Sequence, residues 1–227
     1  SDEEKAMLPR HEGEGWIELY HHLLMLRARL TFNQLVGRNI EYQEGDEAAV
    51  RATGTSSAIC GNHIMRAGKH WATFVTGREM LGYHSVGVIR PLPGWNNRKL
   101  EEFHPNDPII RNDLLLERTT RWEGNVHFCR FYISDGECYY SNWEGYSTES
   151  IWDGYNNYDR GIGTFGMLLD LDIGTLSVYR NGQKVGTLKD GLAGVYCWIA
   201  CFEGIQRSLS IKRGYDVIDN EDRRTDG

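Results

Sequence analysis

Two carboxylates two residues apart are the first feature of this sequence that suits chemistry. Asp170 and Asp172 stand in Leu169-Asp-Leu-Asp172, and a pair of acids within reach of one substrate can divide the work of acid and base. In a strand, both acids share one face while Leu169 and Leu171 take the other. The turn signal Ile173-Gly174 follows at once, a position that suits framework better than catalysis. Glu144, Glu149 and Asp153 form a second constellation among Trp143 and Trp152, and glycosidase clefts also flank carboxylates with aromatic rings. The histidines (His11, His21, His22, His63, His70, His84, His104, His127) are scattered, and none makes a helical i, i+4 pair within a helix or has a cysteine partner nearby, so no metal site is expected. Cys60, Cys129, Cys138, Cys197 and Cys201 are five in number. An odd count leaves at least one free thiol and points to a reducing compartment. If Cys197-Trp-Ile-Ala-Cys201 is a strand, its two thiols lie ~13 Å apart, too far for a disulfide. No Gly-x-Ser-x-Gly elbow, phosphate loop or dinucleotide fingerprint occurs, and Gly161-Ile-Gly163 precedes a strand, the wrong context for a phosphate loop. No catalytic residue, cofactor or metal is therefore assigned.

The 227 residues suit one large domain, or one domain with an appendage. A chain that is 40% hydrophobic and 25% charged is not a disordered one. Its net charge of −7 argues against a general binder of nucleic acid or anionic membrane. Every apolar stretch is broken before the ~18 residues that a membrane span needs. No basic start with an apolar run precedes Ser1-Asp2-Glu3-Glu4, so no secretory signal is visible. The expected location is intracellular and cytoplasmic, with an organelle interior as the alternative.

Residues 1–15 read as a flexible acidic tail and residues 16–37 as an amphipathic helix. Trp16, Leu19, Tyr20, Leu23, Leu26, Leu30 and Leu35 recur at three-to-four spacing, Glu18, His22, Arg27 and Arg29 take the other side, and Gly37 is the expected cap. Trp16, Leu23 and Leu30 are expected to bury against the body of the chain or a partner subunit. After Gly37 the pattern is β throughout. Asp135-Gly136 and Asn181-Gly182 each separate two strand-like runs, and these pairs tolerate the positive φ that a tight hairpin needs. With the turn at Ile173-Gly174, the segment from Gly166 onward predicts a three-strand meander. The expected fold class is all-β, a two-sheet antiparallel β-sandwich preceded by one amphipathic α-helix.

Two stretches depart from framework. Pro91, Pro93, Pro105 and Pro108 are four of the five prolines, and they mark a long non-strand excursion over residues 91–125 that contains Leu114-Leu-Leu116. Residues 139–158 interleave Tyr139, Tyr140, Tyr146, Tyr155, Tyr158, Trp143 and Trp152 with Gly and Asn. Such loops offer contact area at low ordering cost, as antibody loops do, although rings of this kind also serve as core. A polar C-terminal tail is read over 214–227.

Four segments in order resemble the SPRY domain. Ile64-Met-Arg-Ala-Gly-Lys-His-Trp71 is similar to the family's early strand, and Ser85-Val-Gly-Val-Ile-Arg-Pro91 to its "GV" strand. Leu169-Asp-Leu-Asp-Ile-Gly-Thr-Leu-Ser-Val-Tyr-Arg-Asn-Gly-Gln-Lys-Val-Gly186 follows the "LD-x-x-x-GTLSFY-x-NG-x-x-LG" meander almost residue for residue. Gly191-Leu-Ala-Gly-Val-Tyr-Cys-Trp-Ile-Ala200 is similar to the next strand, with Cys197 where the family has Pro. The resemblance spans residues 40–213, within a SPRY-like sandwich read over 38–213, and argues against catalysis in both acid constellations.

The resemblance implies a non-catalytic protein-interaction module that takes a peptide or protein partner on loops at one edge of the sandwich. Relatives serve as substrate-recognition parts of ubiquitin ligases, so an adaptor is one expectation and a subunit or scaffold of a larger assembly another. A carbohydrate-binding, lectin-like domain is the alternative. The partner-binding residues implied are Trp95 and Asn96 in Leu92-Pro-Gly-Trp-Asn96, and Cys201, Phe202, Glu203 and Gly204, with Phe202 as pocket floor. Tyr146, Trp152 and Tyr155 would complete the rim. Trp95, beside Gly94 in a Pro-flanked loop, is expected to stay out of the core.

Overall fold

The computed structural model describes residues 13–77, 83–120, 122–142, 148–157, 163–204 and 207–214. Helix α1 (Trp16–Arg27) leads into strands β1 (Gln34–Val36), β2 (Ile40–Gln43), β3 (Asp46–Ala52), β4 (Ser56–Ile59), β5 (Lys69–Thr76) and β6 (Tyr83–Ile89). A single 3-10 turn (Trp95–Arg98) and helix α2 (Arg111–Leu116) occupy the excursion. Strands β7 (Val126–Tyr132), β8 (Cys138–Asn142) and β9 (Thr148–Ser150) follow, then a second 3-10 turn (Tyr155–Asn157). The described strands end with β10 (Thr164–Asp170), β11 (Thr175–Arg180), β12 (Gln183–Lys189), β13 (Cys197–Glu203) and β14 (Arg207–Arg213). They form two antiparallel sheets of seven strands. Sheet A runs β1-β4-β13-β6-β7-β8-β9 and sheet B runs β12-β11-β10-β5-β14-β3-β2.

Alternation explains why two sheets are needed. In β13, Trp198, Ala200 and Phe202 enter the main core between the sheets, while Cys197, Ile199 and Cys201 point to the outer side of sheet A. Phe74, Phe165, Met167, Leu169, Leu176 and Val178 of sheet B meet them from below. The outer residues of β13 are buried too, under a second cluster built from Leu92, Trp95, Phe103, Ile110 and Leu114. The excursion is thus a third layer over part of sheet A, and the apolar patch beginning at Leu114 packs there through Leu114 itself, while Leu116 is exposed.

The meander is present as expected. Leu169 pairs with Leu176 across β10 and β11, and Arg180 pairs with Gln183 across a two-residue turn. Asn181 and Gly182 there have φ of 49° and 78°, the left-handed pair that matches strand twist. The connection at Asp135-Gly136 is longer than two residues. Phe131 pairs with Cys138, and Tyr132 N–H bonds to Glu137 O at 2.8 Å. Asp170 and Asp172 are framework: Asp170 is buried against Lys69, 3.2 Å away, and Asp172 Oδ1 accepts from Gly68 N–H at 3.1 Å.

The helix is shorter than its periodicity implied. It stops at Arg27, Ala28 is extended, and Gln34–Val36 pairs with Ser57–Ile59 as strand β1. Leu30 is buried in the main core, but from extended chain, and Trp16 is exposed. Gly37 is no helix cap. Its φ is 111° and a Cβ there would sit 2.6 Å from Ser56 Cβ, so it lets the chain pass close to β4. Within the segment read as tail, Glu14 is buried; residues 1–12 and 215–227 lie outside the described residues. Helix α2 is an element that the excursion's prolines hid.

Candidate functional site

The outer face of sheet A is apolar under the excursion and polar toward the 201–204 edge. Cys201 pairs with Ser85 and Glu203 with Tyr83 across β13 and β6, and Ser85 pairs with Tyr132 across β6 and β7. At the centre lies Arg130, fully buried. Gly87, opposite Arg130, leaves room for it: a Cβ on Gly87 would sit 2.0 Å from Cys129 O and 2.6 Å from Arg130 Cα. The guanidinium reaches Ser85 and Tyr132. Nη1 donates to Ser85 Oγ at 2.6 Å and Nη2 to the Tyr132 hydroxyl at 3.4 Å. Its carbon stands 4.8 Å from the Tyr132 ring centre and 5.5 Å from that of Tyr139, a cation–π arrangement that offsets part of the cost of burial.

The network continues outward to an acid. Tyr132 donates its hydroxyl proton to Glu203 Oε1 at 2.6 Å, and His104 Nε2, brought in by the excursion, lies 2.8 Å from the same oxygen. His104 Nδ1 accepts from Asn106 N–H, which assigns the ring proton to Nε2, facing Glu203. Burial alone would raise the Glu203 carboxyl. Hydrogen bonds from His104 and Tyr132 and the nearby Arg130 charge outweigh it and hold the group at about 2. Burial lowers the His104 ring, against the opposing pull of Glu203. Burial also pushes the Tyr132 hydroxyl up, against the Arg130 charge. At neutral pH Glu203 is therefore an ionised carboxylate on an uncharged donor pair.

Beside it stands a row of tyrosines. Tyr83 and Tyr132 meet edge to face at 5.8 Å, and Tyr132 and Tyr139 at 5.4 Å. Tyr139 donates to Glu137 Oε2 at 2.9 Å. Tyr83 is 57% exposed, while Tyr132, Tyr139, Glu137 and Glu203 are half-buried. Internal hydrogen bonds hold the two carboxylates and two of the three rings in place, which reduces the ordering cost of a contact made here.

The arrangement of strands is shared with a solved structure. The SPRY domain of human HERC1 superposes with a TM-score of 0.50 at 14% identity, covering 78% of this chain and 94% of that one. The TRIM65 PSpry domain has a TM-score of 0.48 at 14% identity, with 80% and 87% covered. This chain has the SPRY fold. No protein-family model matches the sequence, and none of the curated proteins does.

The SPRY sandwich distributes the sequence-derived site residues unevenly. Trp95 is not on the rim. It is 1% exposed in the outer cluster, donates Nε1–H to Glu117 Oε1 at 2.9 Å and lies under the Arg98 guanidinium at 4.0 Å. The Pro-flanked loop can bury the ring because Gly94 takes a left-handed φ of 73° and turns the chain back onto sheet A. Phe202 is equally buried, on the inner side of the sheet, so the two aromatics lie on opposite faces of sheet A. Trp152 is buried in the main core, with Nε1–H on Gly136 O at 2.6 Å, and Tyr155 packs half-buried beside it. Cys201 is buried under the excursion. Asn96, Glu203 and Gly204 reach the surface. Tyr146 lies outside the described residues. Sequence reasoning missed Tyr83, Tyr132, Arg130 and His104. The alternation of Tyr132 with Arg130 in the β7 run was the available signal, since it puts both on one face.

Among the described residues, no three His, Cys, Asp or Glu gather as metal ligands would. Among the same residues, no helix is long and apolar enough to cross a membrane.

Proposed function

We propose that this chain is a non-catalytic protein-recognition module that takes a peptide or protein partner at the 201–204 edge of sheet A. The observation that carries the reading is the Tyr83–Tyr132–Tyr139 row beside Glu203, a preorganised aromatic surface with a fixed carboxylate. Aromatic anchors of this kind dominate binding energy at interfaces. Glu203 and Glu137 favour a partner that offers a donor or a basic side chain to the row. In an assembly, the module serves as a substrate adaptor of a ubiquitin ligase or as a scaffold subunit. Five buried, free thiols support a reducing, intracellular setting.

The test is to identify a partner by in-cell crosslinking and to measure its affinity for variants that keep their melting temperature. Tyr83→Ala and Glu203→Gln should each weaken binding by about 1–2 kcal/mol, while Glu41→Ala at the far edge of sheet B leaves it unchanged. Equal loss from Glu41→Ala and none from Tyr83→Ala would remove the assignment. Capture of glycans on an array with no protein ligand would favour the lectin reading instead.

A further inference from the structure

Helix α1 is apolar on both sides. Leu26 is buried and Leu19, Leu23 and Met25 are half-buried, whereas Trp16, Ile17, Tyr20 and Leu24 are 70%, 87%, 61% and 41% exposed. With 3.6 residues per turn, Ile17, Tyr20 and Leu24 form one line along the helix, on the side away from Leu26. Arg27 continues the line by three more positions. A repeat of three, four, three is the spacing of the narrow seam between paired helices, not of the broad stripe that packs on a sheet.

The helix is also pinned in orientation. The buried Glu14 just ahead of it pairs with Arg66 at 2.6 Å, and His22 contacts the same guanidinium. At its other end, Arg213 donates to Ala28 O at 2.6 Å. The outward line is therefore set by the body of the chain before anything meets it.

We infer that this line is a dimer seam, on which α1 of a second copy lies antiparallel about a two-fold axis. The charge pattern favours a second copy. The chain carries −7, but α1 holds one acid in its first turn, Glu18, and one base in its last, Arg27. Two such helices meet without the like-charge repulsion that other parts of the surface would impose. Centred between Tyr20 and Leu24, the antiparallel pair sets Tyr20 of one copy on Leu24 of the other and Ile17 against the Arg27 stem. It also brings the Arg27 guanidinium toward the Trp16 indole, a cation–π contact. The axis repeats each contact, as an isologous interface requires. The exposed apolar surface is on the order of 500 Å² per copy, so about 1,000 Å² in the pair, the lower limit of specific interfaces. An interface of that size makes a weak, reversible dimer.

Sedimentation velocity of the whole chain tests this. The unmodified chain should shift from monomer to dimer as its concentration rises through about 1–200 µM, and Ile17→Glu with Leu24→Glu should weaken the dimer at least about 30-fold. A chain that stays monomeric throughout, or a dimer indifferent to both glutamates, overturns the seam. If the glutamates also lower the melting temperature, Tyr20→Cys with Leu24→Cys decides. The double variant should form a disulfide-linked dimer on mild oxidation and neither single variant should. Single variants that crosslink as well as the double indicate a parallel pair and overturn the arrangement, and absence of crosslinking in the double variant does the same.

Discussion

One missing Cβ lets the strand that carries the central cation pack closely on β6. Gly87 has no Cβ, and the Arg130 side chain occupies the space beside it. Gly87→Ala would drive a carbon to 2.0 Å from Cys129 O, where backbone rather than a flexible side chain must yield, and about 3 kcal/mol or more of stability should be lost. Urea unfolding of the variant checks this, and a cost below about 1 kcal/mol would show that β6 and β7 can separate. Gly87 belongs to Ser85-Val-Gly-Val, which was legible as a SPRY-like strand. Its partner was not legible, because Arg130 lies 43 positions later and only the pairing of β6 with β7 brings them together. The same limit governed Trp95. Its neighbours Pro93 and Gly94 mark a turn, but what decides burial is Phe103 at 5.4 Å and Glu117 under its N–H.

At the scale of elements, α1 shows where periodicity misleads. Leu30 and Leu35 continue the helical spacing, yet the chain straightens at Ala28, where the core takes Leu30 and Phe32, and the free edge of β4 takes Gln34–Val36. Tertiary pairing outweighed a propensity that is weak in a short helix. One anchor that holds α1 to the body is the Glu14–Arg66 pair, both side chains almost fully buried. Removing one member leaves the other charge without its counterion in a poorly solvated site, so Glu14→Ala should cost about 3–5 kcal/mol. Glu14→Leu with Arg66→Met should recover most of that loss, because two apolar groups need no counterion. Thermal melts of the two proteins make the comparison, and a double variant no better than the single would place the helix's anchorage elsewhere. The meander, by contrast, was legible in full, since each turn is specified locally by its own glycine.

At the scale of the molecule, the sandwich was readable from alternation and turn chemistry, and the third layer was not, since prolines say only where strands stop. The molecule's buried histidines have a titration signature. His63 and His127 are held at about 3 and His70 at about 4, in each case chiefly by burial, against an ordinary value of 6.5. The folded chain keeps these rings neutral while the unfolded chain protonates them below pH 6.5, so stability must fall as pH drops through that value. Each ring contributes a loss of about 2 kcal/mol by pH 5. Glu203, held at about 2, adds a second loss only as pH falls from its unfolded value of 4.5. Chemical denaturation at pH 7, 6 and 5 should show a steady decline in unfolding free energy, and a flat profile would mean that these sites admit water.

The strand order carries a consequence for synthesis. In sheet A, β13 fills the gap between β4 and β6, and in sheet B, β14 fills the gap between β5 and β3. Both keystones come from residues 197–213, which leave the ribosome after every other described strand. Until they arrive, each sheet is two separate pieces with four raw edges between them, and the inner faces meant for Trp198, Phe202, Leu209 and Ile211 stand open. The nascent chain must therefore wait, in a state that invites chaperones, and then close both sheets nearly at once as two consecutive late strands enter one sheet each.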